Sequence, residues 1–299
     1  MKVLLTGGSG QLGRALRSTL AELGDVVAPP RVEFDLGQAL SLTGKLDALA
    51  PDLIVNAAAY TAVDAAETDV AAARAVNAES VAVIARWAAA HDVPLVHYST
   101  DYVFDGALCR PYRESDTPAP LNVYGATKLE GEEAVLESGA RALLLRTSWV
   151  YGPNDGNFLA TMLRLMAERS ELSAVADQVG APTDTGLIAR ASVAALRQCL
   201  ESGAGWGLYH LAAAGETSWY GYAVEIARQA PSRGFALQCV PDAIRPIASR
   251  DWPASARRPA NSRLDCSLFS ATFGLTLPCW RQRLAEVLDQ LAESHHDAT

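Results

Sequence analysis

The chain has no apolar run approaching the roughly 18 residues a membrane-spanning helix needs. No membrane anchor is expected. Its amino terminus, Met1-Lys2-Val3-Leu4-Leu5-Thr6-Gly7, passes from a short apolar stretch straight into a glycine turn. That is not the pattern of a signal peptide. Cysteine is sparse and scattered: Cys109, Cys199, Cys239, Cys266 and Cys279, with no Cys-x-x-C and no histidine cluster. An odd, unpatterned set points to reduced thiols in a cytoplasmic protein and away from disulfides or zinc. Positive charge is short: 25 Lys and Arg face 34 Asp and Glu, a net charge of −9. This excludes broad nucleic-acid binding, which needs a positive surface. An anionic ligand would have to meet a local basic pocket. Internal repeats and low-complexity linkers are also missing. What the chain does have is 299 residues, 49% of them hydrophobic. That is ample for a large core and, by length, suggests two domains.

The first half alternates apolar strands with helical segments. Lys2 to Thr6 is a short strand ending in Gly7-Gly8-Ser9-Gly10-Gln11-Leu12-Gly13, and an amphipathic segment follows to about Leu23. Strand, glycine turn, helix is the context that makes a glycine pattern a phosphate-site candidate. Gly7 permits the tight turn, Gly10 close approach of a pyrophosphate, and Gly13 close helix packing. The helix amino terminus adds N–H donors and partial positive charge. A second strand near Asp25 to Ala28 should end at the residue that reads an adenosine ribose. An acid there favours NAD and a base favours a 2′-phosphate. The chain has Pro29-Pro30-Arg31 instead of an acid, so Arg31 is the candidate partner of the 2′-phosphate and NADPH the favoured cofactor, with NADH still open. Asp35-Leu36 is placed along the adenine.

Pro51 to Ala59 is an apolar strand running into small residues, which let a flat cofactor lie close to the backbone. Tyr60-Thr61-Ala62-Val63-Asp64 leads into a long alanine-rich helix through about Ala90, with Asn77 inside it as either a packing or a functional amide. Pro94 to Ser99 is the next strand and delivers Thr100 and Asp101. A proline-rich loop follows, and Asn122 is placed as N-cap of the next helix. That helix carries Tyr124 and Lys128. Residues four apart share a helix face, so both side chains can point at one spot. An ammonium close to a phenol lowers its pKa from about 10. Beside Thr100, the phenol can give a proton to a carbonyl oxygen while a hydride reaches the carbonyl carbon. Ala142 to Arg146 is a further strand, ending in Thr147-Ser148-Trp149.

Gly7, Ala57, Thr100 and Thr147 thus all sit just past strand carboxyl ends. In an open parallel sheet those ends line the ligand crevice. The expected fold is α/β: a Rossmann-like doubly wound parallel sheet over residues 1–148, with a smaller α/β substrate-binding domain over 149–299. Segments near 183–212 are expected to return to the first domain. Helices are read at 157–168, 185–200, 218–229 and 279–291, with fraying from Ser294 onward.

These residues carry a resemblance. The glycine motif, Val55-Asn56-Ala57-Ala58-Ala59-Tyr60-Thr61-Ala62-Val63-Asp64, Leu121-Asn122-Val123-Tyr124-Gly125-Ala126-Thr127-Lys128 and Arg146-Thr147-Ser148-Trp149-Val150-Tyr151 are similar to motifs of extended short-chain dehydrogenase/reductases. Ser99-Thr100-Asp101-Tyr102-Val103-Phe104, Asp177-Gln178-Val179-Gly180-Ala181-Pro182-Thr183 and Ala256-Arg257-Arg258-Pro259-Ala260-Asn261-Ser262 are more specific. Over almost its whole length the chain resembles the dTDP-4-dehydrorhamnose reductase family.

The resemblance implies reduction of the 4-keto group of dTDP-4-dehydro-6-deoxy-L-mannose to dTDP-L-rhamnose, a precursor of cell-surface polysaccharide such as O-antigen. Thr100, Tyr124 and Lys128 match the catalytic set: Tyr124 gives the proton, Thr100 holds the substrate oxygen, and Lys128 holds the nicotinamide ribose and lowers the Tyr124 pKa. The expected cofactor-binding residues are Gly7, Gly10, Gln11, Leu12, Gly13, Arg31, Asp35, Leu36, Ala58, Ala59, Tyr60, Thr61, Tyr98, Tyr124 and Lys128. Thr100, Asp101 and Trp149 match sugar-holding positions, and Arg258 and Asn261 are placed at the nucleotide end, since arginine suits a bidentate pyrophosphate contact.

Two departures matter. Some members bind Mg2+ between subunits through glutamates, but Ala15 and Gly186 fall at those positions, so no metal is expected and a homodimer is left open. The ribose acid of dual-cofactor members is replaced by Pro30. Two other readings stay open: another nucleotide-sugar epimerase or dehydratase, and a non-catalytic subunit like the regulatory subunit of methionine adenosyltransferase. A dehydratase commonly carries Asp-Glu after the threonine, where this chain has Asp101-Tyr102. A pure binding module need not keep Thr100, Tyr124 and Lys128 together.

Overall fold

Strands that are apolar on both faces need cover on both faces, and that requirement organises the structure. The computed structural model describes residues 1–154 and 156–296. In chain order the first half runs β1 (Lys2–Thr6), α1 (Gln11–Leu20), β2 (Asp25–Val27), α2 (Leu42–Leu49), β3 (Leu53–Asn56), α3 (Val63–Ala66), α4 (Val70–Arg74), α5 (Ser80–Ala90), β4 (Leu95–Thr100), α6 (Val123–Glu137) and β5 (Ala142–Thr147). The second half runs β6 (Val150–Tyr151), α7 (Phe158–Glu168), β7 (Leu172–Val175), β8 (Val179–Gly180), β9 (Thr183–Asp184), α8 (Thr185–Ser202), β10 (Gly207–His210), β11 (Thr217–Ser218), α9 (Trp219–Gln229), β12 (Ile244–Ile247), α10 (Ser267–Phe273) and α11 (Trp280–His296).

Six strands form one sheet in the order β10-β5-β4-β3-β1-β2. Every pairing in it is parallel. The order reverses at β1, which lies between β2 and β3, so a crevice opens past the carboxyl ends of β1 and β3. This is the Rossmann-like doubly wound sheet that the strand–helix alternation predicts. Val3, Leu5, Val55, Val96 and Leu145 pack on one face with Leu16 and Leu20 of α1 and Ile188 and Leu196 of α8. Leu4, Ile54, Leu95 and Leu144 pack on the other with Leu42, Leu46, Val81 and Ile84. The alternation Val3, Leu4, Leu5 is the two-residue period of a strand read out in both directions.

A third core lies beyond the sheet. It joins Tyr151 of β6 with Leu159, Met162, Tyr222, Ile226, Trp280 and Leu284 from α7, α9 and α11. The buried Arg283 guanidinium clamps α11 to Asp184 at 2.8 Å through two nitrogens. The lobe's β-pairs are short: β12 with β7, β11 with β8, and β6 with β9.

One expectation is corrected here. The helix expected from Asp64 to Ala90 is broken into α3, α4, a π turn at Ala75–Glu79, and α5. The cause is Asn77. Its carboxamide accepts from Tyr60 N at 2.8 Å and donates to Tyr60 O and Thr127 Oγ1, both at 3.1 Å. The neighbouring helix also crosses so closely that a Cβ at Gly131 would lie 2.2 Å from Asn77 O. A π bulge accommodates such a tertiary demand. At the other end, α11 spans Trp280–His296, and the part of the tail expected to fray that runs over 297–299 lies outside the described residues.

Candidate active site

The glycine turn is built by close approach. Gly7 has φ +69°, and a Cβ there would lie 2.7 Å from Ala58 N. Gly10 caps α1 with no side-chain hydrogen bond, so the first-turn N–H groups face the cleft unoccupied by a side chain. Gly13 has another task. Its Cβ would fall 2.0 Å from Gly7 O, so it lets α1 pack against the turn and does not line the cleft.

A single cleft of about 770 Å³ runs along the carboxyl ends of the strands. Its lining brings together Gly7, Gly10, Gln11, Leu12, Arg31, Asp35, Leu36, Ala58, Ala59, Tyr60, Thr61, Tyr98, Thr100, Asp101, Tyr124, Lys128 and Trp149. Segments remote in sequence therefore share one wall, as convergence on the strand ends predicts. Gln11 reaches across to the second lobe, where its Oε1 accepts from Asn157 Nδ2 at 3.2 Å. Arg31 stands at the rim, its side chain 82% exposed and 3.4 Å from Asp35 Oδ1. An exposed guanidinium so weakly held is free to turn to an anion.

Tyr124 starts α6 because Asn122 caps it: Asn122 Oδ1 accepts from Gly125 N at 2.8 Å. Glu67 Oε1 also accepts from Val123 N at 2.8 Å. Burial pushes the Tyr124 phenol up to about 12; a hydrogen bond with Thr100 opposes this, and the Asp101 carboxylate adds to it. The expected lowering by Lys128 is not found, and that reading is corrected. The Lys128 ammonium is turned away, donating to Tyr98 O at 2.6 Å. Its own value is lowered to about 8, chiefly by burial, with Glu132 opposing. A phenol above its usual range stays protonated at neutral pH, the state a proton donor needs. Asp101 is pushed up to about 7 by burial, against hydrogen bonds with Ser262 and Thr100. Behind the site Glu132 and Arg146 form a buried ion pair at 2.6 Å, with the guanidinium over the Phe104 ring.

The far end of the cleft is aromatic. Trp149 has the left-handed φ of +46° and stacks on Trp219, with centroids 3.6 Å apart and planes 8° from parallel. Gly180 is the glycine this stack requires, because a Cβ there would lie 2.6 Å from Trp149 Cε2. Trp219 lines the cleft and was not legible beforehand. Its only signal is its position directly after Ser218, the N-cap of α9.

Arg258 and Asn261 do not join the lining. Arg258 grips Asp64 through both terminal nitrogens, at 2.7 and 3.3 Å, and pairs with the Tyr102 hydroxyl beside the cleft. Asn261 donates to Leu108 O and Arg110 O, each at 2.8 Å, and its Oδ1 accepts from Arg263. Its polar atoms are spent on holding the loop at 108–110, which corrects its placement at the nucleotide end. Two cleft-lining hydroxyls, Ser99 Oγ and Thr147 Oγ1, are buried without a hydrogen-bond partner among the described residues. Such groups are costly unless a ligand or water answers them.

The geometry now meets its relatives. A family model described as the RmlD substrate binding domain matches residues 1–293. The chain belongs to this family. A dTDP-4-dehydrorhamnose reductase of Burkholderia thailandensis is 47% identical over 285 residues, covering 94% of this chain and 96% of the relative. The crystal structure of a dTDP-4-dehydrorhamnose reductase from Clostridium acetobutylicum superposes with a TM-score of 0.89 at 34% identity, covering 97% of this chain and 99% of that one. That of Bacillus anthracis, in complex with NADP, gives 0.87 at 32% identity with the same coverage. The fold these relatives share is the one described above. No group of three or more His, Cys, Asp or Glu among the described residues could hold a metal ion. No helix of the described residues is long and apolar enough to cross a membrane.

Proposed function

We propose that the cleft is the active site of an NADPH-dependent dTDP-4-dehydrorhamnose reductase, which converts dTDP-4-dehydro-6-deoxy-L-mannose to dTDP-L-rhamnose. One observation carries the reading: Thr100, Tyr124 and Lys128 lie on the same cleft as the glycine turn and the Arg31 rim, in a chain of the reductase family. The cradle suits a dinucleotide. The uncapped start of α1 and the crowded Gly7 leave room for a pyrophosphate and no side chain to compete with it. When bound, NADPH supplies the hydride.

The chain's own residues do the rest. Gly7, Gly10, Gln11 and Leu12 hold the phosphates, and Asp35 and Leu36 border the adenine with Arg31 at its 2′-phosphate. Ala58, Ala59, Tyr60, Thr61 and Tyr98 flank the middle of the cofactor. Lys128 aims an N–H at the nicotinamide ribose. Thr100 and Asp101 hold the keto sugar against Trp149. The Thr100 hydroxyl fixes the C4 oxygen while Tyr124 Oη gives it a proton, so carbonyl becomes alcohol as the hydride arrives at carbon. Residues 1–148, with α8 and β10, serve the dinucleotide; 149–299 mainly serve the sugar nucleotide. The free thiols, with no paired cysteine among the five, agree with a cytoplasmic enzyme. Its product would feed assembly of cell-surface polysaccharide.

The test is NADPH absorbance over time with enzymatically generated dTDP-4-dehydro-6-deoxy-L-mannose, with NADH in parallel. Substrate-dependent oxidation, faster with NADPH, is expected. Cofactor binding without consumption would overturn the reading.

A further inference from the structure

A line of four buried polar side chains runs under the cleft floor from the glycine turn to the catalytic lysine. Thr6 Oγ1 lies 2.5 Å from Asn56 Oδ1, Asn56 Nδ2 lies 3.1 Å from His97 Nδ1, and His97 Nε2 lies 3.5 Å from Lys128 Nζ. Thr6, Asn56, His97 and Lys128 are all buried, none more than 2% exposed. No bulk water can correct a mismatch in such a chain, so donors and acceptors must alternate.

As oriented, they do not. An imidazole that accepts from Asn56 at Nδ1 must carry its single proton on Nε2, pointing a donor at an ammonium. Burial and the Lys128 charge hold His97 well below its usual value, so it is neutral and has only one N–H. Turning the Asn56 amide over exchanges two groups of nearly identical shape, and the Thr6 contact then lengthens from 2.5 Å into the roughly 2.7–3.2 Å range of an N–H donor. Asn56 Oδ1 then accepts from His97 Nδ1–H, Asn56 Nδ2 donates to Thr6 Oγ1, and a lone pair on His97 Nε2 faces the ammonium. Each of the three contacts then pairs a donor with an acceptor.

We propose that His97 is a positioning residue: as the Nδ1–H tautomer, locked by Asn56 and Thr6, it accepts from Lys128 Nζ and aims the ammonium's remaining N–H into the cleft. An ammonium has three donors. Tyr98 O takes one at 2.6 Å, His97 Nε2 takes the second, and the third is left for the cofactor ribose. That last assignment rests on the reductase reading; the tautomer and its effect on Lys128 do not. Besides His97, the ionisable group that bears on Lys128 is Glu132 on its own helix. Glu132 is itself bound to Arg146.

The experiment uses no substrate. The chain has only three lysines, Lys2, Lys45 and Lys128, so the full-length protein labelled at lysine Cε and Nζ gives a short, assignable set of NMR signals. Long-range ¹⁵N–¹H correlation of the histidine rings should show His97 as the Nδ1–H form. An Nε2–H form, or an imidazolium, would overturn the proposal. His97→Leu removes the acceptor and should lower the Lys128 midpoint by about one pH unit, because the charged form loses a partner. His97→Gln, which returns an acceptor near Nε2, should restore it. A Lys128 midpoint indifferent to the folded Leu variant, or unrestored by Gln, would sink it. If His97→Leu does not fold, the wild-type tautomer and the Gln variant still decide. Loss of reductase turnover with the expected tautomer would count against the functional reading and leave this one standing.

Discussion

The Trp149 and Trp219 rings lie face to face, 3.6 Å between centroids, although one follows β5 and the other begins α9. Phe158 of α7 leans on the same stack at 4.7 Å. Trp219 Nε1 donates to Gln178 Oε1 at 3.1 Å, and Gln178 donates on to Ser249. The stack thus ties three loops of the smaller lobe into one wall of the cleft. Trp219→Ala should leave Trp149 tilted and mobile. Since an aromatic pair is worth about 0.5–1.5 kcal/mol beyond its area, KM for the sugar nucleotide should rise several-fold with kcat changed less. Steady-state kinetics at saturating NADPH measure both, and an unchanged KM would refute the wall.

Tyr124→Phe removes the proton donor and little else, since the ring stays buried beside Tyr102. Turnover should fall by about 10²–10⁴-fold, the usual worth of general acid catalysis. NADPH affinity, read by fluorescence titration, should hold. A variant that retains near-full turnover would show that the proton comes from elsewhere.

Arg31→Ala tests the cofactor preference. Hydrogen bonds to charged groups contribute roughly 1.5–3 kcal/mol, so NADPH binding should weaken by about tenfold or more, less where salt screens it. NADH binding should barely move. Equal losses for the two cofactors would place Arg31 away from the 2′-phosphate.

Asp101 gives stability a pH dependence of known sign. Its carboxyl is raised from 3.8 to about 7 by burial. A raised value in the folded state means its contribution is full below about pH 4 and is lost as pH rises through about 7. The unfolded chain ionises this carboxyl freely, whereas the folded chain resists. Asp101→Asn should therefore match the parent near pH 4 and melt several degrees higher at pH 8 in cofactor-free protein. The loss in the parent is bounded by about 1.4 kcal/mol for each pH unit between the two values. Parallel melting curves at every pH would rule out a buried ionisation here.

Much of this was legible in the chain because local chemistry and global fold agree. The glycine turn after β1, the cap at Asn122 and the threonine that ends β4 are short-range signals, and each lies where the spacing puts it. The failures are all long-range. Nothing near Asn77 announces a π turn, because the groups that impose it, Tyr60 and Thr127, arrive from elsewhere. Arg258 reads as a phosphate ligand until Asp64, far back in the sequence, occupies its fork. The Tyr-x-x-x-Lys spacing correctly puts both side chains on the cleft, but spacing is silent on the carbonyl of Tyr98 that draws the ammonium aside.

The place of β10 bears on how the protein is made. This strand adds to the outer edge of β5 only after α7, the short strands β7 to β9 and α8 have been synthesised. Until then the emerging chain carries a bare row of peptide groups along Leu143–Arg146, one of the most apolar strands it has. Exposed strand edges recruit other chains, and late, non-local parallel pairing is slow. The nascent polypeptide therefore passes through an interval in which its nucleotide half is nearly assembled and still open to self-association. Ribosome-bound chains arrested before Gly207 should need a chaperone more than those arrested after His210.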